Sequence, residues 1–117
     1  MTDEEFNRLL VKTLKGIVPT VREGVYTGED CERYITFVYY VRGIQNANDR
    51  PTAKKWQVTV TYWAHYGIRT YDDRLKLCEA IEKMCGAYPS CETSTDDGWQ
   101  QYVYEFGVLG GIEEWQG

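Results

Sequence analysis

Histidine occurs once, at His65, and the four cysteines, Cys31, Cys78, Cys85 and Cys91, form no Cys-x-x-Cys pair. Structural zinc is held by four nitrogen or sulfur ligands that come in close local pairs, so no metal and no cofactor is expected. Cys78 and Cys85 are seven residues apart, about 10 Å along one helix face, which is too far for a disulfide. The cysteines read as small buried hydrophobes of a reducing compartment. No apolar run approaches the roughly 20 residues of a membrane span. The start, Met1-Thr2-Asp3-Glu4-Glu5, is acidic where a secretory signal would be basic, so an intracellular protein is expected. Positive charge is also in deficit. Lys and Arg total 13 against 18 Asp and Glu, a net charge of -5, which argues against a general nucleic-acid coat or a dock for anionic lipid. Nor is there a glycine-rich phosphate loop, because Gly107, Gly110 and Gly111 follow a strand pattern with no helix after them.

What is present is aromatic. The chain of 117 residues is 43% hydrophobic and 15% aromatic, with 10 Tyr and 4 Trp, so it has apolar material for one core and a length for one domain. Thr2 followed by Glu5 has the capping-box spacing, and Phe6, Leu9, Leu10, Leu14 and Ile17 recur at helical intervals. A one-sided helix of about 14 residues is predicted, ended by Gly16 and Pro19. Val25-Tyr26 is long enough only for a short extended piece. Tyr34 to Val41 is β-branched and aromatic with no breaker, and reads as a central strand covered on both faces. Arg42 to Lys54 is filled with turn formers and reads as a loop of about 13 residues. Trp56, Val58, Val60 and Tyr62 then alternate with Gln57, Thr59, Thr61 and Trp63, the period of a half-buried antiparallel strand.

A second helix is capped by Thr70 or Asp72, with Asp72 and Asp73 at the positive end of its dipole and Gly86 as its stop. Leu75, Leu77, Cys78, Ile81, Met84 and Cys85 form its buried side. Ser90 to Thr95 and Trp99 to Val108 make a final hairpin around Asp96-Asp97-Gly98, with Tyr102, Tyr104, Phe106 and Val108 on one face. The fold class expected is therefore α+β: a mostly antiparallel sheet with two helices packed on one face, in the order α-β-β-α-β-β. Residues 1–109 form the single domain and 110–117 a flexible C-terminal tail.

A catalytic reading needs a nucleophile or an acid/base pair with an orienting group. The one constellation available joins His65 to a Cys or Ser and to the Asp72-Asp73 pair, and His65 reads more simply as a polar residue at a strand end. No enzyme is expected. Tyr102-Val103-Tyr104-Glu105-Phe106 has the aromatic half of an RNA-stacking surface but lacks the flanking Lys and Arg. Self-association fits the aromatic surface better.

The order of these segments resembles the small tail-terminator, tail-completion or minor-capsid (head–tail joining) proteins of long-tailed phages and prophages. The resemblance covers most of the chain. It runs from the acidic-capped helix with Phe6, Leu9 and Leu10 through the Tyr34-Ile35-Thr36-Phe37 strand and the loop ending Asp49-Arg50-Pro51. It continues through Gln57 to Trp63, the helix from Leu75 to Met84, and the strand ending Phe106-Gly107-Val108. It implies a structural virion protein that assembles as a ring, often of six copies, at the head-proximal end of the tail, ending tube growth and allowing head docking. The partners implied are further copies of the chain, the tail-tube protein and head-connector proteins. DNA passes through the lumen without specific binding, and an acidic wall suits that passage because it repels phosphate. The implied location is the host cytoplasm during assembly and then the virion tail. Arg42, Arg50 and Lys54, on the long loop, and Trp115, in the tail, are the assembly contacts expected. The four cysteines and the Trp-bearing C-terminus depart from the pattern. The alternative is a small intracellular binding module that uses the aromatic sheet face for a peptide or RNA.

Overall fold

A computed structural model describes the backbone of residues 2–26, 31–45 and 51–111, and their side chains except at 44, 45, 51–53 and 111. Helix α1 (Asp3–Lys15) begins at Thr2, whose hydroxyl accepts the Glu5 amide at 3.1 Å and donates to the Glu5 carboxylate at 3.2 Å. Its buried stripe is Phe6, Leu10 and Leu14, while Leu9, expected in that stripe, is exposed. Strand β1 (Val21–Glu23) follows, earlier than the Val25-Tyr26 piece expected. Then come β2 (Arg33–Gln45), β3 (Pro51–His65), helix α2 (Tyr71–Cys85), β4 (Cys91–Asp96) and β5 (Trp99–Gly111). The fold is α+β, with the five strands in the order β1-β2-β3-β5-β4. All neighbours are antiparallel except β1, which lies parallel to β2.

Strands β2 and β3 stay paired from Arg33 with Ala64 to Gly43 with Lys54, and the register shifts only between Ile44 and Gln45. The 13-residue loop expected from Arg42 to Lys54 is therefore mostly strand. Pro51 is tolerated because it stands at the first residue of β3. At the other end, β5 continues through Gly110 and Gly111, paired with Lys54 and Ala53, so these two residues, expected in the tail, belong to the sheet. The β4–β5 hairpin closes on Asp97 and Gly98, both with positive φ (45° and 85°). That is the two-residue geometry an Asp-Gly pair favours.

Both helices pack on one face of the sheet, here the near face. Its core joins Phe6, Leu10, Leu14 and Val18 to Ile35, Phe37, Trp56, Val58, Val60, Tyr62, Leu77, Ile81, Tyr104, Phe106 and Val108. Phe6 stacks on Trp56 with centroids 4.7 Å apart and meets Tyr39 edge-on at 5.3 Å. On α2 the buried residues are Asp73, Leu77, Cys78 and Ile81, whereas Leu75 is exposed. Of the four cysteines only Cys78 is buried, and none is in a disulfide.

Among the described residues, no helix lies over the far face. Val38 and Tyr40 of β2 are 51% and 61% exposed there, so the expectation that β2 is covered on both faces fails. A 15-residue strand such as β3 runs about 50 Å, and a 15-residue helix such as α2 only about 22 Å. The sheet therefore outruns its cover. The molecule measures 53 × 24 × 22 Å, with a radius of gyration of 15.6 Å against about 13 Å for a compact chain of similar size.

Candidate functional site

The near face closes over a buried polar cluster at one end. Asp73, in the first turn of α2 and 5% exposed, accepts the Tyr62 hydroxyl at 2.6 Å and pairs with the Arg33 guanidinium. Burial, and then the bond to Asp73, push the Tyr62 hydroxyl well above the ordinary tyrosine range. The hydrogen bond to Asp73 raises Arg33 above its usual value. This is a satisfied structural triad, since every member has a partner. Asp73 does more than complement the helix dipole: it stands four residues before Leu77 and eight before Ile81, on the core stripe. A carboxylate at that period, together with a core-facing Tyr62 whose hydroxyl needs a partner, is the sequence signal for the cluster.

At the opposite end Lys54 closes the core. Its ammonium donates to Asp3 at 3.2 Å and lies 4.8 Å from the Trp56 ring centroid. The Trp56 indole donates to the same Asp3 oxygen at 3.0 Å. Lys54 is thus bound within its own domain, on a strand of alternating faces where a loop was expected. Arg42 is an exposed residue of β2. Arg50 and Trp115 lie outside the described residues. The structure does not bring Arg42 and Lys54 together: Arg42 sits opposite Lys55 and Lys54 opposite Gly43, so by strand alternation they point to different faces.

His65, at the end of β3, stacks on Trp99 with ring centroids 3.8 Å apart. Its backbone amide donates to Glu32. Beside it on the far face, Tyr34 stacks on Trp63 at 5.7 Å and meets Trp99 edge-on at 5.1 Å, and Trp63 donates to the Thr36 hydroxyl at 3.2 Å. Among the described residues no group of three or more His, Cys, Asp or Glu side chains is arranged to hold a metal. No described helix is long and apolar enough to cross a membrane.

Among the described residues, three surfaces could meet a partner. One is a groove of about 680 Å³ between the helices, with Leu9 and Ile17 on one wall, Ala80 and Met84 on the other and Val108 at its base. The second is the far face around Val38 and Tyr40. The third is a cleft of about 600 Å³ where Met84 and Cys85 meet Gly107 and Leu109 of β5 and the side chains of Lys55 and Arg42. The first also takes Lys76, Glu79 and Lys83 into its lining, the second sets Val38 beside Thr36 and Thr59, and the third lies along a strand edge. Together they describe an α+β protein whose sheet is incompletely covered. No protein-family model matches the chain, and no curated protein matches it in sequence.

Proposed function

We propose that the chain is a self-assembling structural subunit of the tail-terminator or tail-completion kind that its order of elements resembles. In this reading copies form a ring at the head-proximal end of a phage tail, end tube growth and present the surface to which the head docks. The observation that supports it is the uncovered sheet, with Val38, Tyr40 and Leu109 exposed by 51%, 61% and 65%. Large apolar side chains exposed on both strands that flank β3 support contact with another protein. A net charge of -5 suits a ring through which DNA passes, because like charge keeps phosphate from adhering.

The alternative, a small intracellular module that binds a peptide or RNA on its aromatic sheet face, has less support. Tyr34 already stacks on Trp63, and Trp99 on His65, which occupies ring faces that bases would need. Native mass spectrometry of the purified protein tests the proposal first: a discrete oligomer is expected, and a protein that stays monomeric at every concentration refutes it. Particles assembled without the chain should then show headless tails of uncontrolled length in electron micrographs. Normal particles would exclude the tail role.

A further inference from the structure

Strands β2 and β5 flank β3, and most of each outer edge has no neighbour among the described residues. β1 pairs only with Ile35 to Phe37 of β2, and β4 only with Trp99 to Tyr104 of β5. The alternation of backbone direction shows which groups are left over. Ile35 donates to the Thr20 carbonyl and the Phe37 carbonyl accepts from Gly24, so the odd positions of β2 face away from β3. Tyr39, Val41 and Gly43 continue that row. In a two-residue hairpin the pair flanking the turn exchanges hydrogen bonds, which commits Trp99, Gln101 and Val103 to β4. Glu105, Gly107 and Leu109 continue on the same side.

Rows of this kind are templates for another strand, and monomeric proteins blunt them with proline, lysine, inward charge or an early bulge. Each open stretch carries one exposed charge, Arg42 on β2 and Glu105 on β5, and otherwise lacks these devices. Val38-Tyr39-Tyr40-Val41-Arg42-Gly43 and Glu105-Phe106-Gly107-Val108-Leu109-Gly110 contain no proline and no lysine, and the irregularity in β2 comes only after Ile44. The large apolar side chains most exposed on these strands, Val38 and Tyr40 on one and Leu109 on the other, stand on the open stretches. By strand alternation all three belong to the far face. A cleft lies at Gly107 and Leu109, with Met84 and Cys85 of α2 beside it.

We infer that the open edge of β2 in one copy pairs with the open edge of β5 in the next, so that the sheet continues from subunit to subunit. A second copy is the occupant because one joint, repeated, satisfies both edges and buries Val38 and Tyr40 beside Leu109. A foreign strand would satisfy one edge and leave the other bare. Both strands run antiparallel to β3, hence parallel to each other, and the joint is a parallel one. A head-to-tail contact of this type generates rings or filaments, not two-fold dimers. The inference deepens the reading of the chain as a self-assembling subunit and rests on it.

Two proline variants of the full chain test it. Gly43→Pro and Leu109→Pro each remove an outward N–H at an exposed position while leaving the internal ladder its hydrogen bonds. In sedimentation velocity the parent should form a discrete oligomer and each variant alone should be a monomer. An equimolar mixture should give a one-to-one pair, because each variant keeps the edge the other has lost. A monomeric parent overturns both the subunit reading and the joint. An oligomer that persists in both variants overturns the joint alone, as does a dimer formed by one variant by itself, which would mean a symmetric edge contact. Circular dichroism establishes that the variants fold. Should a proline variant fail that check, Tyr40→Lys and Leu109→Lys place charge on the same edges through exposed side chains, and the same outcomes decide.

Discussion

The near and far faces of this sheet are made by the same strands, residue by alternate residue, yet they have been given different work. On the near face Ile35, Trp56, Val58, Val60 and Tyr62 are fully buried beneath two helices, and even the polar groups there, Asp73 and Tyr62, are paired. On the far face the same strands present threonines, a stack of aromatic rings at one end, and exposed Val38 and Tyr40. The difference teaches that hydrophobic content alone does not locate a core. The near face is closed by the chain's own helices, and the far face has apolar side chains that no described element covers.

That contrast can be broken by substitution. Leu10→Ala and Ile81→Ala should each lower stability by about 2 to 5 kcal/mol, through lost transfer energy and the cavity left behind. Tyr40→Ala, in the monomer, should change it by less than about 0.5 kcal/mol. Urea unfolding measures all three, and equal midpoints would erase the distinction between the faces. Next in size, Tyr62→Phe should cost about 1 to 3 kcal/mol, because it removes a buried hydrogen bond to a carboxylate. Full parental stability in that variant would show that Asp73 does not need the hydroxyl.

The same residue makes the near face sensitive to alkali. In the unfolded chain a tyrosine loses its proton near pH 10, whereas burial raises both Tyr62 and Tyr104 above that in the fold. Below the unfolded value both states hold the proton and stability is at its full level. Above it the unfolded chain binds fewer protons than the native one, so stability falls as pH rises. Urea midpoints from about pH 8 to about pH 11 should decline past pH 10, and less steeply in Tyr62→Phe; a flat profile would contradict the burial of these hydroxyls. The smallest effect is expected at the tip, where Asp3 is 61% exposed. Asp3→Asn should shift stability by no more than about 1 kcal/mol, a loss that added salt should reduce further in the parent.

Much of this was legible in the sequence, and the reasons differ by element. Helix α1 announced itself through Thr2, Glu5 and a three-four spacing, and the β4–β5 hairpin through Asp97-Gly98, because both depend on local chemistry. The extension of β2 and β3 past Val41 did not, since Gly43, Asn46, Asn48 and Pro51 are turn formers and the partner strand β5 that holds this region lies far along the chain. β1 escaped notice because three residues carry no period. It is a strand only because β2 offers an edge. Leu75 was placed in the core by its apolar character, but it falls outside the stripe that Asp73, Leu77 and Ile81 define. One-sided cover was legible in the alternation of β3 and in the single apolar stripe of each helix, but not for β2, whose unbroken run of β-branched and aromatic residues hides that Val38 and Tyr40 share the side the helices leave open.

The strand order carries a consequence for how the chain is made. β3 has two long neighbours, and they leave the ribosome at different times, β2 immediately before it and β5 only after α2 and β4. During that interval a nascent chain holds β3 with one side bonded and the other bare, along a stretch that includes Trp56, Val58, Val60 and Tyr62. Crowded ribosomes on one message would bring several such bare strands together, and pairing between them would compete with the later arrival of β5. Synthesis rate over the segment from Tyr66 to Gln100 therefore governs how long the chain is open to misassembly, and slowing it should lower the yield of soluble protein without altering the stability of what folds.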